Sequence, residues 1–217
     1  MDKENVSDFP KLHAPFVRAD NESGEYVVEN QINDGYEWVF EDDSVRAVEK
    51  IDGANASIVL GEHGDVDSVY SRMGTDDINR IQTFGSNYPF IIKGVLNAIK
   101  RDWLQDLEKG TQHYGEIVGP KVNGNPYDLN EHIFVPFEYL YKNVHYESWG
   151  DYPKTFSEIS GWFENGLIPL FYSRMHDIPF DELPEDAFVE GIVFTHPDGR
   201  KAKLRRDMFD WYDGERH

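Results

Sequence analysis

The 217-residue chain contains no cysteine. Disulfides and thiolate metal centres are therefore excluded, and a reducing compartment is compatible with the composition. Basic residues are scarce: 21 Lys and Arg stand against 41 Asp and Glu, a net charge of −20. Such a field repels nucleic acid over most of a surface, so any nucleic-acid site must be a local basic patch inside an acidic shell. A high-salt cytoplasm is one explanation of so acidic a surface. No apolar run approaches the length that spans a bilayer. The opening residues, MDKENVSDFPKLHAPF, lack the apolar core of a signal peptide. A soluble, cytoplasmic protein without a membrane partner is expected. Internal repeats and low-complexity linkers are also missing. What is present is a 39% hydrophobic and 14% aromatic composition, which predicts a packed globular chain. Its length suits a single domain over residues 1–217, with residues 1–35 as an irregular acidic lead-in.

Strand-like runs are expected at Val45–Glu49, Ala54–Leu60 and Val66–Arg72, with a turn at Gly61–Gly64. Apolar spacing over residues 89–108 predicts a helix whose buried face holds Ile92, Val95, Leu96, Ile99, Trp103 and Leu107. Strand character returns at Gln112–Val118 and His132–Tyr141. Thr155 and Glu158 read as a capping box that opens a helix through Phe163. Val189–Thr195 and Lys201–Arg205 read as a hairpin around His196–Gly199. The expected class is α+β, with mostly antiparallel sheets and flanking helices.

Four stretches carry candidate chemistry. Glu49-Lys50-Ile51-Asp52-Gly53-Ala54-Asn55 places a lysine at a strand end beside an Asp-Gly turn. A neutral lysine is a good nucleophile toward phosphorus, and burial or a neighbouring cation supplies the neutral form. A surface lysine before a tight turn has the same local pattern. Gly115-Glu116 and Glu190-Gly191 each set one carboxylate in an apolar strand. There it can meet a ribose hydroxyl or a metal ion, or face solvent. Lys201 and Lys203 share one strand face by alternation, which suits a polyphosphate better than two unpaired ammonium groups. Arg72, at a strand end, can grip a phosphate. Phe137 offers a ring to stack on a purine, or to pack in the core.

In this order the stretches resemble the motifs of the covalent nucleotidyltransferase superfamily, which contains ATP-dependent DNA ligases, RNA ligases and mRNA capping enzymes. Lys50–Gly53 is similar to its K-x-D-G, Gly115–Glu116 to its glycine-glutamate motif, Glu190–Val193 to E-G-[IV]-V, and Lys201 with Lys203 to K-x-K. The resemblance spans roughly residues 45–206. The nearest pattern is that of bacteriophage-type nick-sealing RNA ligases, because Glu49–Asn55 reads E-K-x-[HD]-G-[TA]-N. Gly115–Pro120 followed by Gly124–Tyr127 adds to it. Asp52 stands where those phage enzymes carry histidine, which leaves DNA-ligase and capping chemistry open.

The resemblance implies an adenylation domain without an OB-fold, since about eleven residues follow Arg206. It implies ATP, with Mg2+ or Mn2+, and a lysyl-AMP intermediate on Lys50. Glu49 would contact adenine, Glu116 the ribose, and Phe137 the base. Arg72, Lys201 and Lys203 would hold phosphates, with Ile51 and Gly53 in the nucleotide pocket. Glu190 would place the metal, with Glu116 as a second ligand, while Asp52 and Asn55 would orient Lys50. The implied partners are RNA ends or a nicked RNA-containing duplex, with an accessory RNA-binding protein to supply grip. A minimal DNA nick ligase, a capping-type guanylyltransferase and a non-catalytic nucleotide-binding module are the alternatives.

Overall fold

A computed structural model describes residues 6–73, 77–81, 89–146 and 153–215, and these residues form ten strands and five helices. Chain contacts divide into two compact units. One comprises Met1–Pro10 and Asp52–Lys142, the other Lys11–Ile51 and Asn143–His217.

The first unit is built on a five-stranded antiparallel sheet in the order β6-β5-β4-β7-β8. Its strands are β4 (Ala54–Leu60), β5 (Val66–Met73), β6 (Asp77–Arg80), β7 (Gln112–Val118) and β8 (Ile133–Pro136). Alternation sends Ala56, Ile58, Ile117 and Phe134 to one face, where they pack in a core with Ile91, Val95 and Ala98 of helix α2 (Pro89–Lys100). The helix is shorter than its apolar spacing implies. Asp102 takes φ 59°, and the N–H groups of Trp103 and Asp102 donate to the carbonyls of Ala98 and Ile99. This paired arrangement terminates a helix. Its buried face also differs from the expected one: Leu96 and Ile99 are exposed, while Ile91, Gly94, Val95 and Ala98 are buried. A Cβ at Gly94 would lie 2.9 Å from Ile117 Cδ1 and 3.2 Å from the Phe134 nitrogen. Small residues thus set the contact that hydrophobicity alone assigns to larger ones.

The strand expected at His132–Tyr141 breaks after Pro136. Proline has no N–H for a ladder, and the chain turns into helix α3 (Phe137–Asn143). Phe137 therefore begins a helix.

The second unit holds two sheets. Residues 1–35, expected to be irregular, contain an antiparallel hairpin of β1 (Phe16–Asp20) and β2 (Tyr26–Ile32). Strands β3 (Arg46–Lys50), β9 (Gly191–Thr195) and β10 (Lys201–Arg205) form a three-stranded antiparallel sheet in the order β10-β9-β3. Short helix α1 (Trp38–Glu41), α4 (Phe156–Asn165) and α5 (Leu170–His176) complete the unit. Phe16, Phe40, Ile159, Phe163, Ile192, Phe194 and Phe209 are among its core residues. Thr155 is the residue before α4, and its hydroxyl donates to Glu158 Oε2 at 2.5 Å, so the side-chain pair forms without a hydroxyl contact to a helix N–H. Among the described residues, no helix is long and apolar enough to cross a membrane.

Candidate functional site: a cation face and a polar sheet face

Strand register builds the site of the second unit. Lys50 and Arg205 both lie opposite Gly191, while Arg46 and Lys201 both lie opposite Thr195, and Lys203 lies opposite Val193. Residues two apart share a face. Arg46 and Lys50 on β3, and Lys201, Lys203 and Arg205 on β10, therefore crowd one face of a three-stranded sheet. In a chain of charge −20, this is the local basic patch that an anion site requires.

Glu190, just before β9, is the acid within this patch. It accepts a hydrogen bond from Lys50 Nζ through Oε2, and Arg205 Nη1 lies 3.9 Å from Oε1. Arg205 also pairs with Asp207 at 3.0 Å. Lys203 is held below the usual lysine range, first by burial and then by the nearby Arg205 and Lys50, with Glu190 opposing them. Partly buried ammonium and guanidinium groups at this spacing repel one another unless an anion joins them.

Gly191 shapes the same site. A Cβ there would stand 2.2 Å from the Leu204 carbonyl oxygen and 2.7 Å from Arg205 Cα. Gly191→Ala is expected to destabilise the protein by about 2–4 kcal/mol, through backbone displacement, and to displace Arg205 with it. Denaturant unfolding of the variant measures the first effect, and loss of anion binding under native conditions the second.

Glu49 faces the other way. Opposite Ile192 on the apolar side of the sheet, it is fully buried. Its Oε2 accepts the Phe171 N–H at 2.9 Å, and Oε1 has no hydrogen-bond partner among the described residues. Burial pushes its carboxyl up to about 8 against the pull of the Phe171 and Leu170 N–H groups. Ile51 is buried as well. Both belong to packing around β3 in this structure, whereas Lys50 lies on the cation face.

Three other nominated residues share a face in the first unit. Asn55 pairs with Glu116 and Ser57 with Tyr114 across β4 and β7, while Ser57 pairs with Tyr70 across β4 and β5. Arg72 stands two residues beyond Tyr70. Asn55, Ser57, Tyr70, Arg72, Tyr114 and Glu116 thus line the sheet face opposite α2. The glycines near Glu116 accommodate protein. A Cβ at Gly115 would meet the Val135 carbonyl oxygen at 2.3 Å, and one at Gly53 would meet Glu116 Cβ at 2.7 Å. Asp52 donates its N–H to the Tyr127 hydroxyl at 2.6 Å, and its carboxylate accepts Asn123 Nδ2 at 2.6 Å. Arg72 Nε reaches Asp8 Oδ2 at 2.7 Å.

Arg205 and Asp207 were not nominated from sequence, although alternation with Lys201 and Lys203 points to Arg205. Tyr127 and Asn123 meet Asp52 from more than 70 residues away, and no local pattern announces that contact. Among the described residues no three His, Asp or Glu side chains form a preformed metal cluster. Magnesium held mainly by phosphate oxygens and waters needs only one or two carboxylates. Glu190 in the second unit and Glu116 in the first each offer one.

No family model matches the chain, and no curated protein matches it. Solved structures of a Naegleria gruberi RNA ligase are similar to it. The form with pyrophosphate is 15% identical with a TM-score of 0.40, over 78% of this chain and 52% of that one. A variant with ATP and Mn is 14% identical with a TM-score of 0.44, over 91% and 60%. Another with ATP and Mn is 15% identical with a TM-score of 0.44, over 92% and 58%. The chain spans less than two thirds of the length of each.

Proposed function

We propose that this chain is an ATP-dependent RNA ligase that forms a lysyl-AMP intermediate on Lys50. The observation that carries the reading is the surroundings of Lys50. It lies on a sheet face with Lys201, Lys203 and Arg205, and is hydrogen-bonded to Glu190. The four ordered motifs add to it. A lysine amine beside a cluster of cations and one carboxylate suits attack on a polyphosphate better than structural pairing alone.

A protonated amine has no lone pair, so Lys50 must pass a proton to a base before it attacks, and Glu190 is the carboxylate already hydrogen-bonded to it. The Nζ–Pα bond then forms, and the bond from Pα to the pyrophosphate oxygen breaks. Pyrophosphate leaves with its electron pair. The second proton, shed from the nitrogen as the phosphoramidate forms, passes to solvent. Lys201, Lys203 and Arg205 would neutralise charge on the leaving phosphates, and fixed charge of this kind supplies much of the catalysis in phosphoryl transfer. A bound Mg2+ or Mn2+ would add Lewis-acid neutralisation of the phosphates, with Glu190 as its carboxylate. AMP would then pass to a 5′-phosphate of RNA, and a 3′-hydroxyl would displace AMP to close the strand. By the resemblance, Asn55, Arg72, Glu116 and Phe137, all of the first unit, would meet the ribose, phosphate or base of a nucleotide. With so acidic a chain, grip on the strand beyond the reacting ends falls to the cation face or to an accessory RNA-binding protein.

The test is a chase. Protein is labelled with α-labelled ATP and metal, freed of nucleotide, and given 5′-phosphorylated RNA. Label should leave the protein, appear as AMP on the RNA 5′ end, and vanish as the strand is sealed. Transfer to an all-DNA nick alone, or labelling by GTP alone, would replace RNA ligase with DNA ligase or capping chemistry.

A further inference from the structure

The polar sheet face of the first unit is covered by a short stretch of its own chain, Ser7-Asp8-Phe9. Hydrogen bonds and ring contacts hold it there. The Ser7 N–H donates to Gln112 Oε1 at 3.0 Å and Gln112 Nε2 donates back to the Ser7 carbonyl at 2.8 Å. The Ser7 and Tyr114 hydroxyls share a hydrogen bond of 2.7 Å. Arg72 is taken twice, by the Asp8 carboxylate at 2.7 Å and by the Phe9 carbonyl. The Phe9 ring meets Phe137 edge-on with centroids 4.8 Å apart, and meets Tyr114 at 5.2 Å.

The chemistry of this stretch matches that of a nucleotide. An aromatic ring sits on the two rings available to a base, and an anion sits on the arginine available to a phosphate. The ion pair is not deeply buried: Asp8 and Arg72 side chains retain 22% and 31% of their exposure. Partly exposed ion pairs and single edge-on ring contacts are individually weak, so a ligand that offers the same groups can displace them.

The geometry points to Ser7–Phe9 as an internal competitor, a strap that occupies the Arg72, Tyr114 and Phe137 face until an adenine nucleotide displaces it. This inference rests on the nucleotide reading above and adds a regulatory element to it. Apparent nucleotide affinity is lowered by the fraction of molecules in which the strap is seated.

The experiment is calorimetric titration of AMP into the full chain, as wild type, Asp8→Asn, Phe9→Ala and the double variant, with thermal unfolding of each. The double variant should bind AMP about tenfold more tightly while unfolding at the same or a slightly lower temperature, because it loses strap contacts. A segment that merely supports the site would move both readouts downward together. Equal or weaker AMP binding by the double variant, with the wild type binding normally, overturns the strap alone. No binding of AMP by any folded form overturns the nucleotide reading and the strap with it.

Discussion

Lys50→Arg should leave the protein folded and completely unlabelled by α-labelled ATP. Arginine keeps a positive charge beside Glu190 and on the face shared with Lys201, Lys203 and Arg205, so the electrostatics of the patch survive. A guanidinium stays protonated in proteins and has no amine lone pair to offer phosphorus. Lys50→Ala should be equally unlabelled, with loss of the Lys50–Glu190 hydrogen bond as an added defect. Loss of the nucleophile in a covalent mechanism lowers the rate by a factor on the order of 10⁴ or more, below what a denaturing gel detects. Labelling of Lys50→Arg at even a few per cent of wild type would move the nucleophile elsewhere.

The second large effect is on stability, and it comes from Glu49. Its folded carboxyl is pushed up to about 8 from an ordinary 4.5. Between those values the folded chain keeps a proton that the unfolded chain has released. Stability contributed by this group is therefore complete below about pH 4.5, falls as pH rises, and is gone above about 8. Glu49→Gln keeps the shape and cannot ionise. The stability difference between variant and wild type should shift in favour of the variant by roughly 3–5 kcal/mol between pH 4 and 9. Urea unfolding at a series of pH values measures it. A difference that stays constant over that range would show that Glu49 ionises in the fold as freely as in water.

The chemistry-bearing face was more legible in the sequence than the architecture around it. Lys201 and Lys203 could be set on one strand face because alternation is a local rule, whereas the register of β9 with β10 and β3 that brings Lys50 onto the same face is tertiary. The strand runs 54–60 and 112–118 match β4 and β7 for the same reason. The β1–β2 hairpin was hidden because most of β2 is exposed, with only Val27 and Val28 buried, so little apolar pattern announces it. Phe137 was assigned to a strand because the run from Ile133 is apolar and aromatic throughout, and only Pro136 signals the exit. Leu96 and Ile99 were assigned to a core that Gly94 and Ala98 occupy, since close approach depends on what a residue lacks. Glu49 illustrates a different limit. Its neighbour Lys50 is on the cation face, and a one-residue step along a strand reverses direction. Its tie to Phe171, 122 residues away, belongs to tertiary packing alone. The contact of Asp8 with Arg72 spans 64 residues and has no local signature either.

The most direct test of the central claim is the intact mass of the wild-type protein after incubation with ATP and Mg2+ or Mn2+, followed by fragment mapping. The account predicts an added mass of one AMP, carried by the fragment containing Lys50, lost in acid as expected of a nitrogen–phosphorus bond, and reversed by added pyrophosphate. A folded protein that binds ATP yet keeps its unmodified mass under every metal and salt condition would contradict it.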